Sequence, residues 1–313
     1  MTGKPEIRRP TAALLLLFLI GTARSEAVPT PAPECRALHV VEATYAGPAR
    51  YAHGLLWKIS KPGTRPSYLF GTIHLADEAV VDLPPVVSEK LAGSRLFVME
   101  ALPQTEQAAK LSQMMFFSDQ HRLDNFLSAS MFKRVVAILG AYHLEQETVN
   151  RLKPWAAFVT MSYPADLRPI LDLQLLNTAK EKGLDTRGLE TLEEEGEIFN
   201  RMELQDQLTL LKDASCYHDR FLKDFEVMKS LYLKRDLKGL FLYSQRYSFD
   251  DNSVYDSLTG RLLTRRNRTM TDRMQPILRE GGAFIAIGAL HLTGNDGVLD
   301  LLNKKNYRIT RVY

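Results

Sequence analysis

Short apolar runs bounded by turn residues lie near both ends of the chain and predict the strands of one sheet. Leu55–Ile59, Tyr68–Ile73 and Arg95–Glu100 have the length and the flanking residues typical of strands. The turn residues at Lys61–Gly63 join the first two runs as a hairpin, so the sheet is expected to be mixed. Three further strands are predicted at Asp185–Leu189, Phe284–Gly288 and Tyr307–Val312.

The middle of the chain has helical apolar spacing instead. It begins at Gln104 and continues to about residue 182, and a charged amphipathic stretch then runs from Thr191 to Asp236. We expect that stretch to form two helices broken near Asp213–Tyr217. Its run Glu193–Glu195 is interpreted as the solvated first turn of a helix, where anionic side chains are favoured. Shorter helices are predicted at Val86–Leu91, Thr271–Leu278 and Val298–Asn303.

This order of elements predicts an α/β (mixed α+β) domain. Strands from the N-terminal and C-terminal halves would join in one central mixed sheet, with a large helical middle between them.

Two of the predicted strands lead into the same short motif, Gly-x-x-His-Leu. The first copy runs from Gly71 to His74 and the second from Gly288 to His291. A lone histidine at such a position is more often a core residue with a backbone partner. Two copies on strands of one sheet favour a site at which the two imidazoles meet.

A carboxylate at the end of a third strand completes a candidate metal site. Glu100 would lie beside His74 and His291, and two neutral imidazoles with one carboxylate can hold a catalytic divalent metal while leaving positions open for water and substrate. The alternative is that Glu100 is a surface residue at a strand end. Neither a His-Glu-x-x-His motif nor a Gly-x-Ser-x-Gly motif occurs in the chain.

The N-terminus has the pattern of a secretory signal peptide over residues 1–25. A basic start precedes the apolar run Ala12–Ile20, and Ala23 and Ser25 occupy the −3 and −1 places. The run is shorter than the roughly 20 residues of a membrane anchor. Its removal takes away four basic side chains and one acidic one, so the formal charge falls from +3 to 0. We therefore expect a secreted or periplasmic protein without a transmembrane segment, and no nucleic-acid partner.

The remaining chain divides into a leader and one domain. Residues 26–49 contain several prolines and are expected to form an extended, poorly ordered leader, and residues 50–313 a single domain. Cys35 and Cys216 are the two cysteines of the chain. One disulfide suits an oxidising compartment, and two unpaired thiols are the alternative.

Several segments together resemble the TraB/GumN family, which also includes the Tiki metalloproteases. The resemblance covers roughly residues 50–313, and the closing Gly-x-x-His-Leu block with Gly297 and Tyr307 is its most specific part. It implies a fold of two Gly-x-x-His half-units around one sheet, akin to the erythromycin-esterase-like and ChaN-like proteins. The matching segments are Tyr68–His74, Phe97–Glu100, Gly188–Thr191, Arg266–Met270 and Gly288–Val298.

The resemblance also implies site residues and a metal. His74, Glu100 and His291 match the family's proposed metal site, and manganese or cobalt is the implied metal rather than zinc. Asp172 matches a family position, although Ile170 stands where family members often have glycine. The residues expected to orient the ligands are Asp172, Glu190, Arg266, Asn267 and Arg268.

These observations favour a metal-dependent hydrolase of the Tiki-like peptidase type, with a peptide or protein as substrate. The two imidazoles would hold the metal, and Glu100 would complete the ligand set or accept the proton of an attacking water. Arg268 or Arg266 would stabilise the oxyanion, and the alternative is a structural ion pair of such an arginine with Glu190. The sequence leaves the oligomeric state open.

Two alternatives of other classes stay open. A binding protein without catalysis would capture haem or a peptide in an apolar cleft lined by Met114–Phe117, although residues at this spacing more often belong to a core. An accessory protein of envelope polysaccharide or signalling pathways would act through its long charged helices.

Overall fold

The strands in the described residues form two sheets. The computed structural model describes residues 34–166 and 168–313, so the predicted signal peptide lies outside the described residues. The six-stranded sheet contains elements from both ends of the chain, as predicted. The described strands are β1 (Leu38–Val40), β2 (Leu56–Ser60), β3 (Ser67–Thr72), β4 (Leu96–Ala101), β5 (Asp185–Glu190), β6 (Tyr247–Phe249), β7 (Ala283–Gly288) and β8 (Arg308–Arg311).

The large sheet is mixed, and its topology decides where a site can form. The strand order is β5-β4-β7-β3-β2-β8. The four strands β5, β4, β7 and β3 are parallel, whereas β2 pairs antiparallel with both β3 and β8. The predicted hairpin is therefore β2–β3, and the α/β fold is confirmed. The carboxyl ends of the four parallel strands meet at one edge, where α/β proteins bind their ligands.

Helices connect the strands and fill the middle of the chain. Two 3₁₀ turns lie at Ala49–Tyr51 and Leu123–Asn125, and a π-helical turn at Gly260–Arg265 joins two of the helices. The α-helices are α1 (Glu78–Val81), α2 (Pro85–Ala92), α3 (Thr105–Met114), α4 (Ala129–Gly140), α5 (Gln146–Arg151), α6 (Pro154–Met161), α7 (Leu171–Glu181), α8 (Leu192–Asn200), α9 (Leu204–Leu233), α10 (Leu237–Ser244), α11 (Ser253–Thr259), α12 (Arg266–Glu280), α13 (Ala289–Leu292) and α14 (Val298–Lys304).

The stretch predicted as two helices broken near Asp213–Tyr217 has an additional break. Tyr217 is non-helical (φ −115°, ψ 18°) and kinks α9, which agrees with the prediction. The chain also leaves helical geometry between Asn200 and Leu204, and this break was not predicted.

Two large hydrophobic cores and a small third one, formed by Met202, Leu210 and Leu258, lie within the described residues. The first surrounds the large sheet, where β4 is buried along its whole length and Phe97 and Phe284 are fully buried. Burial of both faces is expected for central parallel strands, and each large side chain contributes about 1.5–3 kcal/mol relative to an exposed one. The second core lies within the helical middle and extends from Leu123 to Cys216.

The described part of the predicted leader is attached to the domain. Cys35 forms a disulfide with Cys216, with a Cα–Cα distance of 5.8 Å, so the two cysteines are not free thiols. The strand β1 pairs antiparallel with β6. The expectation of a poorly ordered leader is therefore wrong from Cys35 onward, because a covalent bond and a strand pair hold this segment.

Among the described residues, no helix combines the length and the apolar character needed to cross a membrane.

Candidate metal centre

The candidate site residues lie at the carboxyl ends of the four parallel strands. His74 follows β3, Glu100 is the second-last residue of β4, Glu190 ends β5, and His291 lies in the one-turn helix α13 directly after β7. Parallel strands end at one edge of a sheet, so these four residues converge from distant parts of the sequence.

Asp172 fixes the orientation of His74. Its Oδ2 lies 2.9 Å from His74 Nδ1, and its Oδ1 accepts a hydrogen bond of 2.6 Å from the Thr72 hydroxyl. Asp172 is in the first turn of α7, and the backbone N–H of Leu171 donates to the Leu75 carbonyl at 3.0 Å. The start of α7 is thus tied to the chain beside His74. Because Nδ1 faces the carboxylate, Nε2 is the nitrogen left to bind another group.

Asn267 fixes the tautomer of His291. Its amide nitrogen donates to the Asp296 carbonyl at 2.8 Å, so its Oδ1 faces His291 Nδ1, at 2.6 Å. An amide oxygen only accepts hydrogen bonds, and Nδ1 therefore carries the proton. His291 Nε2 then presents its lone pair toward Glu100 Oε1, at 3.7 Å.

Glu100 is held from two sides. Its Oε1 accepts a 2.6 Å hydrogen bond from the backbone N–H of Gly288, and its Oε2 accepts one of 2.5 Å from Arg266. A Cβ at Gly288 would lie 3.3 Å from Oε1, so glycine permits this close approach.

Arg266 contacts three carboxylates at once. Its Nε donates to Glu190 at 2.8 Å, and its terminal nitrogen also pairs with Glu195 at 2.8 Å. Oxygens of Glu100, Glu190 and Glu195 lie within 4.8 Å of one another, which alone would suit a cation. The guanidinium already contacts all three, so we interpret the cluster as the support of Glu100. The ion pair of Arg266 with Glu190, predicted as one alternative, is present.

Glu195 is the residue that the sequence interpretation missed. It does lie in the first turn of α8, as predicted, but its carboxylate faces Arg266 and its side chain is 30% exposed, so it is not a solvated residue. A capping box between Thr191 and Glu194 starts α8 directly after β5. That motif was visible in the sequence and places the following residue beside the strand end.

The two histidines have opposite electrostatic environments. The charge of Asp172 holds the pKa of His74 well above its usual value. Its side chain is 40% exposed, so solvent screens part of this interaction. Burial lowers the pKa of His291 to about 4. Burial would raise the pKa of Glu100, but the nearby His291, Arg266 and His74 and the Gly288 N–H lower it to about 2.

The residues around Arg266 are also perturbed. Burial raises the pKa of Glu195 to about 7 and raises that of Glu190 as well. Burial opposes the charge of Arg266, but its three carboxylate partners outweigh this and raise its pKa. At neutral pH the cluster therefore retains an ionised Glu100 beside a permanently charged guanidinium.

Among the described residues, two other predicted groups make no hydrogen bond or ion pair with the candidate metal ligands. Arg268 is 62% exposed and pairs with Asp296 at 3.3 Å. Met114, Met115 and Phe116 pack against the second hydrophobic core. These three of the four residues expected to line an apolar cleft thus contribute to the packing of the helical middle, and the ring of Phe117 lies against those of His121 and Phe126.

The chain is similar to several known proteins. A Tiki metalloprotease homologue of Amphimedon queenslandica is 25% identical, over 82% of this chain and 61% of that protein. The metalloprotease TIKI2 of Danio rerio is also 25% identical, over 82% of this chain and 60% of its own length. The uncharacterized protein YbaP of Shigella flexneri is 24% identical, over 78% of this chain and 90% of YbaP.

The extent of these matches differs. The chain spans about 60% of the length of the Tiki relatives it matches. No solved structure matches it significantly. The sequence profile of the TraB/PrgY/gumN family matches residues 55–311, which is most of the chain. The chain belongs to the TraB/PrgY/gumN family.

Proposed function

We propose that this protein is a metal-dependent hydrolase that cleaves peptides, with His74, Glu100 and His291 as the metal ligands. The observation that carries the proposal is the pair formed by His291 Nε2 and Glu100 Oε1, two hydrogen-bond acceptors facing each other at 3.7 Å. Such atoms repel unless a cation or a proton lies between them. Ligand atoms bound to one metal at about 2.1 Å are roughly 3–4 Å apart, which agrees with this separation.

The surroundings of the three residues fit a metal site. His74 donates to a carboxylate and His291 to an amide oxygen, which is how metal-binding imidazoles are oriented. Two nitrogens and one carboxylate oxygen suit several divalent ions, and we propose manganese or cobalt. If His74 and His291 share one ion, their nearest ring nitrogens should lie about 3 to 4.5 Å apart.

Each residue has a role in the proposed reaction. A bound divalent metal would polarise the scissile carbonyl and lower the pKa of the attacking water from about 15.7 toward about 7. Glu100, kept ionised by Arg266 and the Gly288 N–H, would bind the metal or accept the proton of that water. Arg266 is engaged by carboxylates, so its role is to hold Glu100. A role of Arg268 at the oxyanion stays a prediction.

We also propose that the protein acts outside the cytoplasm, in a periplasm or as a secreted protein. The pattern of residues 1–25 supports export, and the Cys35–Cys216 disulfide suits an oxidising compartment. Intact-mass analysis of protein recovered from the cell envelope should give a chain that starts near Glu26, and recovery of a chain starting at Met1 would contradict export.

The metal proposal is tested by the metal content of three variants. Purified wild type loaded with manganese and desalted is expected to retain about one ion per chain, measured by mass spectrometry of the elements. His74→Ala and His291→Ala should each retain close to none, because two remaining ligands bind weakly. His53→Ala, which removes an exposed histidine, is the matched control and should retain the ion.

Activity is then read from the same proteins. A peptide library should be cleaved by wild type with manganese, and not after its removal or by either ligand variant. Retention of manganese by His291→Ala as in wild type would refute the metal site. Metal binding without cleavage of any peptide would favour the binding-protein alternative.

A further inference from the structure

We propose that the cavity beside Arg266 binds a carboxylate of the peptide substrate, and this inference rests on the proposed hydrolase function. The cavity has a volume of about 320 Å³, enough for one or two side chains. Arg266 and Glu190 form part of its wall, and Arg266 also contacts Glu100. A group bound in the cavity would thus lie next to the candidate metal centre.

The lining of the cavity contains five arginines and three glutamates, and Glu100 and Glu195 also pair with Arg266 from outside the lining. Three of its arginines are engaged by its three glutamates in the described structure. Glu190 accepts from Arg266, and Glu194 forms two hydrogen bonds with Arg273, at 2.8 and 2.6 Å. The third pair joins Arg201 to Glu197. No carboxylate of the lining is therefore left to neutralise another cation.

Two further arginines of the lining lack a partner. In residues 34–166 and 168–313, the side chain of neither Arg261 nor Arg265 makes a hydrogen bond or an ion pair with the protein. Arg261 is half-buried and Arg265 is exposed. The wall thus carries two guanidinium groups that are free to bind an anion, and their fork of N–H donors matches a carboxylate.

The backbone that carries both arginines is unusual. They lie in the π-helical turn Gly260–Arg265, which leads directly into Arg266 at the start of α12. Such wide turns are rare because they are less favourable than continuous α-helix. Those that do occur are frequently found at functional sites. The same six residues therefore present the two free guanidinium groups and position the arginine that holds Glu100.

The carboxylate has two possible sources in a peptide, an acidic side chain or the free C-terminus. Both offer the same two oxygens to the arginines, whereas an amide at the same place offers one acceptor and no charge. A peptidase with this cavity would select substrates that carry such a group close to the scissile bond.

The test measures binding and does not depend on cleavage. Short peptides with N-methylated backbone amides, which resist hydrolysis, are titrated into the mature metal-loaded protein by calorimetry. One series moves a single glutamate along the peptide and is matched by a glutamine series. A second pair compares a free C-terminal carboxylate with a C-terminal amide. We expect wild type to bind one acidic member about tenfold more tightly than its neutral match, with the preference decreasing as salt is added.

Variants assign the preference to the cavity. The double variant Arg261→Gln, Arg265→Gln should bind the acidic and neutral members equally. Arg279→Gln removes an exposed arginine elsewhere on α12 and should keep the tenfold preference. Equal binding of both members by wild type, or no binding of either, would overturn the proposal, as would a preference that survives in the double variant.

The two proposals can fail separately. If wild type prefers acidic peptides but the His291→Ala variant retains manganese as wild type does, the carboxylate site is supported and the metal site is refuted. Loss of manganese in that variant, together with equal binding of acidic and neutral peptides, would do the reverse.

Discussion

The two Gly-x-x-His units share a sequence pattern but have different local structures. In the first, Gly71 lies inside β3 and His74 follows the strand. In the second, Gly288 ends β7 and His291 lies in the helix α13. The two strands pair in parallel, with Gly71 opposite Ile287, so the units are offset by one residue. The pattern alone therefore brings both histidines to one edge of the sheet without making them equivalent.

The partners of the two imidazoles produce the difference. His74 is 40% exposed and faces the Asp172 carboxylate, which favours its protonated form. His291 is 8% exposed and faces the uncharged Asn267, so burial favours its neutral form. A histidine binds metal only when it is neutral. His291 is thus ready to bind at any pH above about 4, whereas His74 has to release a proton first.

The largest expected effect that tests this contrast is on stability in the metal-free protein. The pKa of His291 is about 4 in the folded state and about 6.5 when unfolded. The folded state therefore binds fewer protons between these values, and His291 stabilises it above pH 6.5. This contribution, about 3 kcal/mol in total, is lost as the pH falls through 4.

The measurement compares wild type with His291→Gln in urea unfolding with EDTA present, between pH 7 and pH 4. The comparison of two proteins is needed because Glu195 titrates in the same range. Burial raises its pKa to about 7, so its contribution to stability decreases as the pH rises from about 4.5 to about 7 in both proteins. The stability difference should shrink toward acid pH. For His74→Gln, followed upward from about pH 6, the difference should change at higher pH and in the opposite direction, because a group with a raised pKa stabilises the folded state and loses this contribution as the pH rises through that pKa. A difference that is constant with pH would contradict the contrast.

The second prediction concerns Asp172, the partner that makes His74 different. Asp172→Asn removes the charge, so the pKa of His74 should fall toward 6.5 in an NMR titration. An asparagine that keeps its oxygen on the Thr72 hydroxyl would turn its N–H₂ toward His74 Nδ1 and favour the wrong tautomer. We expect manganese affinity to decrease about tenfold to hundredfold.

The matched control is Asp250→Asn. Asp250 makes the same kind of contact with the exposed His39, at 2.8 Å, far from the candidate site in sequence. This variant should bind manganese as wild type does. An unchanged affinity in Asp172→Asn would mean that the carboxylate has no part in orienting His74.

The sequence predicted the strands and turns that the spacing of apolar residues and the turn residues determine. The short apolar runs of β3 and β7 are typical of buried strands, so both strands could be predicted. The hairpin β2–β3 could be predicted from its turn residues. The break between Asn200 and Leu204 was missed, because the amphipathic pattern continues across it. Helix ends depend on local hydrogen bonds that a pattern of apolar positions does not record.

The candidate site shows the same limit. His74, Glu100 and His291 end predicted strands, so their convergence followed from the expected sheet. Glu195 was interpreted as solvated because a run of three glutamates is typical of an exposed helix start. Its contact with Arg266 depends on how α8 and α12 approach each other, and this tertiary arrangement leaves no pattern in the sequence.

The smallest expected effect separates the two glycines of the repeated motif. A Cβ at Gly71 would lie 2.7 Å from a methyl group of Leu292 and 3.2 Å from Ala289, so this glycine lets α13 pack closely on β3. Leu292 can rotate, and we therefore expect Gly71→Ala to lower the free energy of unfolding by about 1 kcal/mol.

A Cβ at Gly288 would instead lie 3.3 Å from Glu100 Oε1 and 3.4 Å from His291. Gly288→Ala should change stability by less than about 0.5 kcal/mol while weakening manganese retention. Urea unfolding and metal analysis of both variants test this, and a loss of manganese in Gly71→Ala without a loss of stability would reverse the roles given to the two glycines.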